Sequence, residues 1–160
     1  MGIPSQTKEY LNSFHVTGVR KYKYNMMKLT NLELGYLAGF IDGEGALLIN
    51  KREHIGHKGK RYIGYSAYID LGNTNEEVLI WIKTKLNISS KIYKNQCKGN
   101  RKLAFRLRIC YKQAKPLIDL LKDILIVKKE IAKIFLDYDN CQDKDGLYLK
   151  AKALNKRGIF

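Results

Sequence analysis

Asp42 and Glu44 are the residues best placed to do chemistry. They close an apolar, glycine-spotted segment, LGYLAGFIDGEG from Leu34 to Gly45, in a chain that carries 30 Lys and Arg against 15 Asp and Glu. If that segment is a helix, both acids lie at or just past its carboxyl end, where unpaired carbonyls and the negative end of the dipole add to the carboxylates. Hard oxygen donors gathered this way attract a divalent cation, and Mg²⁺ prefers carboxylate and carbonyl oxygens with waters and phosphate completing its shell. Gly35 and Gly39 stand four residues apart with Ala38 beside them. A glycine inside a helix costs about 1 kcal/mol relative to alanine, so close contact with another backbone is the compensation expected. The segment therefore combines a stripe suited to helix pairing with an end suited to a metal ion.

The elements around it can be read from periodicity. Thr30 or Asn31 is placed to cap the helix, Glu33 falls in its first turn, and Gly43 and Gly45 are expected to end it. Ala46 to Asn50 and Arg61 to Gly72 read as a hairpin with a long connection. Asn73, Thr74 and Asn75 offer a cap for a second helix, in which Val78, Leu79, Ile82 and Leu86 share a face. A second hairpin follows, KIYKN then RKLAFRLRICY, with Leu103, Phe105, Leu107 and Ile109 on one side and Lys102, Arg106 and Arg108 on the other. A helix over roughly Gln113 to Leu125, with Pro116 in its first turn, and another over Lys128 to Asp139 complete the pattern. The order α, β, β, α, β, β, α, α implies an α+β layer: a four-stranded antiparallel sheet, helices on one face and a polar, basic face opposite.

Composition limits the partner. With 160 residues, 45% apolar content and two prolines, the chain supports one packed core rather than two. Its formal charge of +15 points to a polyanion, since phosphate backbones draw most of their affinity from Lys and Arg. Between Ala46 and Tyr111 there are 14 Lys or Arg against 4 Asp or Glu, so +10 of the total belongs to the middle of the chain. Cys97, Cys110 and Cys141 lack the spacing of a zinc site or a disulfide framework, which suits a reducing compartment. No apolar run has the length of a membrane span or the form of a signal peptide. Residues 1–29 read as a basic arm, either a plain extension or a phosphate contact. Residues 30–140 read as the domain, and 141–160 as a tail of weaker helical character.

The nine residues Leu37-Ala38-Gly39-Phe40-Ile41-Asp42-Gly43-Glu44-Gly45 resemble the LAGLIDADG signature of homing endonucleases, with Phe for Leu and Glu for Asp as ordinary variants. The resemblance extends over about Asn31 to Asp139. It implies a half-saddle of α-β-β-α-β-β-α order. Pro116 to Leu121 (PLIDLL) lacks the glycines and final acid of a second copy, so the resemblance implies a homodimer that pairs two motif helices through Gly35, Ala38, Gly39 and Asp42. By the same resemblance Glu44 and the carbonyl of Gly43 bind the metal, and Asp42 caps or supports the partner helix. Lys128, beside Lys129, orients active-site water, and Asn73, at the end of the second strand, contacts water or phosphate. Mg²⁺ is the implied cofactor, with Mn²⁺ able to substitute and Ca²⁺ supporting binding without cleavage.

Base contacts would come from sheet positions of one parity: Leu48, Asn50, Arg52 and His54; Ser66, Tyr68 and Asp70; and Tyr93, Asn95, Arg106 and Arg108. A slip of one residue would invert each group. His54 and His57, three apart in a Gly/Lys loop, suit DNA or solvent better than a metal. The resemblance thus implies a metal-dependent, site-specific endonuclease for double-stranded DNA with a long, pseudo-palindromic target, intron-encoded and acting inside a cell, in an organelle or a prokaryotic cytoplasm. The alternative is a maturase that binds intron RNA and assists splicing.

Overall fold

The structure, a computed structural model, describes residues 29–95 and 103–155. The arm up to residue 28, the connection at 96–102 with Cys97 and Lys102, and residues 156–160 lie outside the described residues.

Helix α1 (Asn31–Glu44) starts at Thr30, whose hydroxyl accepts from the Glu33 amide while the Glu33 carboxylate accepts from the Thr30 amide, a reciprocal cap. Lys85 adds an ion pair to Glu33 at 2.6 Å and, with the cap, holds that carboxyl down to about 2. Leu37, Ala38 and Ile41 face the core. The helix does not stop at Gly43; it runs through Glu44 and passes directly into strand β1 (Gly45–Ile55). That join needs Gly45, because a Cβ there would lie 2.7 Å from the Ile41 carbonyl oxygen and 3.2 Å from Leu71 Cδ2. Gly45→Ala is expected to lower folding stability by about 1–3 kcal/mol, the usual range for overpacking; denaturant titration checks it, and an unchanged midpoint would mean that α1 and β1 can part without loss.

Strand β1 pairs antiparallel with β2 (Arg61–Asn73), β2 with β4 (Ala104–Cys110), and β4 with β3 (Ile92–Asn95), giving the order β1-β2-β4-β3. The first hairpin is longer than its apolar stretch: Lys51–Ile55 pairs with Arg61–Tyr65 beyond the core, and Gly59 (φ +74°) sits in the tight connection. Leu103 is not part of the apolar stripe; it precedes β4 and is half exposed. Helix α2 (Glu76–Lys85) is capped by Asn75, whose side chain accepts from the Glu77 amide; Asn73 instead ends β2 and accepts from the Asn75 amide.

Leu47, Ile49, Ile69, Leu71, Leu107 and Ile109 point to one side of the sheet and are buried with Leu79 and Ile82 of α2. Helix α3 (Tyr111–Leu121) follows β4 at once, two residues earlier than expected, so Pro116 falls past its first turn. Helix α4 (Lys129–Leu136) sets Phe135 against the Tyr111 ring, and the Tyr111 hydroxyl donates to the Leu136 carbonyl at 3.1 Å. Helix α5 (Lys144–Asn155) adds Leu147 and Ala151 to the same core and donates from Asn155 Nδ2 to the Leu47 carbonyl. The architecture is the α+β layer implied by periodicity.

Candidate active site and nucleic-acid face

Glu44 is the last residue of α1 and is exposed, as is Gly43 before it. The preceding acid has another task. The Asp42 carboxylate accepts backbone amides from Ile126 (2.7 Å), Val127 (3.2 Å) and Lys128 (2.9 Å), and so anchors the segment leading into α4. Sequence reasoning assigned Asp42 to a partner helix; here the carboxylate is engaged with amides of its own chain, 84 to 86 positions further on. Those amides precede α4 and have no intrahelical acceptor, and a carboxylate at a helix start is favoured by both hydrogen bonding and the dipole. Asp42→Ala is expected to destabilise the fold by at least the ~1.5–3 kcal/mol of one charge-assisted hydrogen bond. Chemical denaturation reads this directly, and a change below about 0.5 kcal/mol, the ordinary range of a surface substitution, would show that the three bonds contribute nothing.

The same arrangement delivers Lys128. Its ammonium donates to the Asp42 carbonyl at the end of α1, half-buried beside the two acids. Burial pushes the Lys128 ammonium below its usual range, and the charges of Asp42 and Glu44 oppose the shift. A cation thus sits within the field of Glu44 without spending that carboxylate in a direct ion pair among the described residues.

Among the described residues no three His, Cys, Asp or Glu side chains gather into a self-sufficient cage. Mg²⁺ does not need one: it keeps several waters and takes one or two carboxylates with substrate phosphates. An exposed carboxylate at a helix carboxyl end, next to the last-turn carbonyl of Gly43, which has no intrahelical donor, fits that requirement as half of a site shared with phosphate. Asn73 closes β2 at the same end of the sheet as Glu44, since Gly45 pairs with Leu71, and its side chain is engaged in a local turn to Asn75.

The face of the sheet turned away from the helices carries every residue chosen by parity. Cross-strand register places Leu48 opposite Tyr68, Asn50 opposite Ser66, His54 opposite Tyr62, Asp70 opposite Arg108, Tyr93 opposite Arg106 and Asn95 opposite Ala104. Arg52, Ser66, Tyr68, Tyr93, Arg106 and Arg108 line a groove of about 660 Å³ on this face. Ser90 and Cys110 line it too; Cys110 has the parity of Arg106 and Arg108, which was the available signal for it. His54 stacks on Tyr62 with ring centroids 5.2 Å apart on the extended part of the first hairpin, whereas His57 lies in the connection.

The outer side of α1 is the other exposed feature. Leu32 (87% exposed), Gly35, Tyr36 (49% exposed), Gly39 and Gly43 form one line along the helix, and a Cβ at any of the three glycines would meet nothing within 4 Å. Ala38 is not on this line. It is 3% exposed and packs into the core, because one residue before Gly39 is about 100° around the helix.

A sequence profile described as LAGLIDADG endonuclease matches residues 37–142. The chain belongs to the LAGLIDADG endonuclease family. No curated protein sequence matches it. Among solved structures, it is similar to the archaeal intron-encoded homing endonuclease I-Vdi141I complexed with DNA, with TM-score 0.62 and 21% identity over 80% of this chain and 87% of that one. It also resembles the homing endonuclease I-CvuI, bound to uncleaved DNA in the presence of Mg (TM-score 0.59, 18% identity, 81% and 85% covered). A second structure of I-CvuI, with its target and Ca, gives TM-score 0.59 and 17% identity over 80% and 85%. These likenesses establish the LAGLIDADG half-saddle fold. Among the described residues, no helix is long and apolar enough to cross a membrane.

Proposed function

We propose that this LAGLIDADG protein is a site-specific endonuclease for double-stranded DNA that works as a homodimer and hydrolyses phosphodiester bonds with Mg²⁺. The observation that carries the reading is the exposed Glu44 at the end of α1, beside the half-buried Lys128, on a chain whose open sheet face is lined by arginines, tyrosines and amides. A divalent ion held by Glu44 and the Gly43 carbonyl would activate water and stabilise charge on the phosphoryl and departing oxygens. Lys128 contributes donors that hold water in line with the phosphate. Asp42 keeps Lys128 there by fixing the backbone amides of 126–128. Asn73 serves as a polar contact to water or phosphate at the end of β2.

Two copies pair through the Leu32, Gly35, Tyr36, Gly39 line of α1, which brings two Glu44 carboxylates to neighbouring phosphates, and two-fold symmetry then dictates a pseudo-palindromic target. Leu48, Asn50, Arg52, His54, Ser66, Tyr68, Tyr93, Asn95, Arg106 and Arg108 meet the bases from a sheet laid in the major groove. Mn²⁺ is expected to replace Mg²⁺, and Ca²⁺ to support binding alone. The printed descriptions of I-Vdi141I and I-CvuI name DNA as the ligand, and the former is intron-encoded; by analogy this chain acts within the cell on DNA and derives from an intron.

The test is a break map. Purified protein is incubated with genomic DNA and Mg²⁺, and the new ends are sequenced. Recurrent staggered breaks at one or a few long, near-symmetric sites, removed by EDTA, are expected. Breaks without a common sequence, or none from folded protein, would overturn the proposal.

A further inference from the structure

Asp70 breaks the pattern of the basic face. It is an acid in the middle strand of a cationic surface, and its side chain is only 12% exposed, whereas Arg106 and Arg108 are 45% and 43% exposed. One oxygen of Asp70, Oδ2, meets both arginines: Arg108 Nη2 donates to it at 3.2 Å, and Arg106 Nε forms an ion pair with it at 3.5 Å. The guanidinium of Arg108 also lies over the Tyr68 ring, 4.2 Å from its centre, and the Tyr68 hydroxyl accepts from Asn50 Nδ2 at 2.6 Å. Asn50, Tyr68, Arg108, Asp70 and Arg106 therefore form one linked set across β1, β2 and β4.

The set is incompletely satisfied in an informative way. Asp70 Oδ1 and Arg108 Nε are enclosed and have no hydrogen-bond partner among the described residues. A two-pronged Asp–Arg pair would have used both. Here Arg108 instead makes a single bond with an outer nitrogen and lies across a tyrosine. Each guanidinium offers five N–H donors, so one shared carboxylate oxygen engages few of them on two side chains that line the groove. One negative charge between two positive ones also lets Arg106 and Arg108, two residues apart on the same face, stand together without dispersing.

We propose that Asp70 is a positioning residue for sequence readout: it touches no base itself and holds Arg106 and Arg108 in fixed directions, which limits the guanines those arginines accept. This inference rests on the DNA-cleaving reading. Without the carboxylate the two guanidinia repel and turn to the nearest phosphates, which any sequence supplies. Asp70→Asn, nearly isosteric, is then expected to bind random duplex more tightly while losing discrimination at the base pairs met by Arg106 and Arg108. The loss should be roughly fivefold or more at each, the lower end of what a two-pronged arginine–guanine contact provides. Asp70→Glu should retain part of the wild-type preference, and Asp70→Asn should change nothing further in an Arg106→Ala, Arg108→Ala background.

The experiment is selection from a randomised duplex library in Ca²⁺, for wild type and each variant, with thermal unfolding recorded in parallel. A local loss of base preference in Asp70→Asn, with random-duplex affinity held or raised, supports the assignment. Selective wild-type binding with an unchanged profile in Asp70→Asn overturns it while leaving the endonuclease reading intact, and so does a uniform loss of affinity with lowered stability. If the wild-type protein selects no sequence at all, the endonuclease reading falls and this inference with it.

Discussion

Glu44→Gln protein should fold, pair and bind DNA in Ca²⁺ as the parent does, and should cut DNA more than 100-fold more slowly in Mg²⁺. Removal of an outer-shell partner of a metal ligand already costs about 10–100-fold, and Glu44 is placed as a ligand. The substitution keeps the shape of the side chain and removes only its charge, replacing one hard oxygen donor by an amide nitrogen that cannot serve a magnesium ion. Because Glu44 is exposed and takes no part in the core, a folding defect is not a competing explanation. A two-fold dimer carries the defect in both halves, so both strands should survive. Rates on the mapped target, compared under saturating protein, give the answer; an unchanged rate would remove Glu44 from the active site and the metal reading with it.

What the sequence made legible follows from physics that acts within a few residues. The alternation in Phe105, Arg106, Leu107, Arg108 and Ile109 shows which side of β4 meets the core, because a period of two leaves only one way to bury the apolar side. The motif residues placed Glu44 at a helix end for a similar reason. Readings that depended on distance in the chain fared less well. Nothing near Asp42 indicates that amides 126–128 will take its carboxylate. The extension of β1 over Lys51–Ile55 carries no burial pattern, since those residues are all exposed and their strand character comes from pairing with β2. Size alone groups Ala38 with the glycines, yet direction around the helix decides its place in the core. Parity alone places Asp70 on the basic face, and only the packed side chains reveal that it lies between two arginines.

Gly39→Leu should separate the proposed dimer and abolish cutting while leaving the single chain as stable as before. The two effects have different origins, which is what gives the experiment its force. In the isolated chain the position is exposed, with nothing within 4 Å of a Cβ, so a side chain can leave the backbone there without a clash at its first carbon. The substitution also replaces a poor helix former by a good one, a change that by itself favours α1 by up to about 1 kcal/mol. Viewed within one chain, then, Gly35, Gly39 and Gly43 only weaken the helix. They are useful if another backbone comes close, since the side chains at a contact set the distance between helix axes, ordinarily about 8–10 Å. Leucine at Gly39 would hold the axes apart, uncover Leu32 and Tyr36, and withdraw each Glu44 from the phosphate facing its counterpart. Sedimentation should show the mass of a single chain, with a cooperative unfolding transition that, unlike the parent's, does not depend on protein concentration. A variant that keeps the parent's mass would refute pairing through this stripe, and a monomer that still made double-strand breaks at the parent rate would refute the need for two copies.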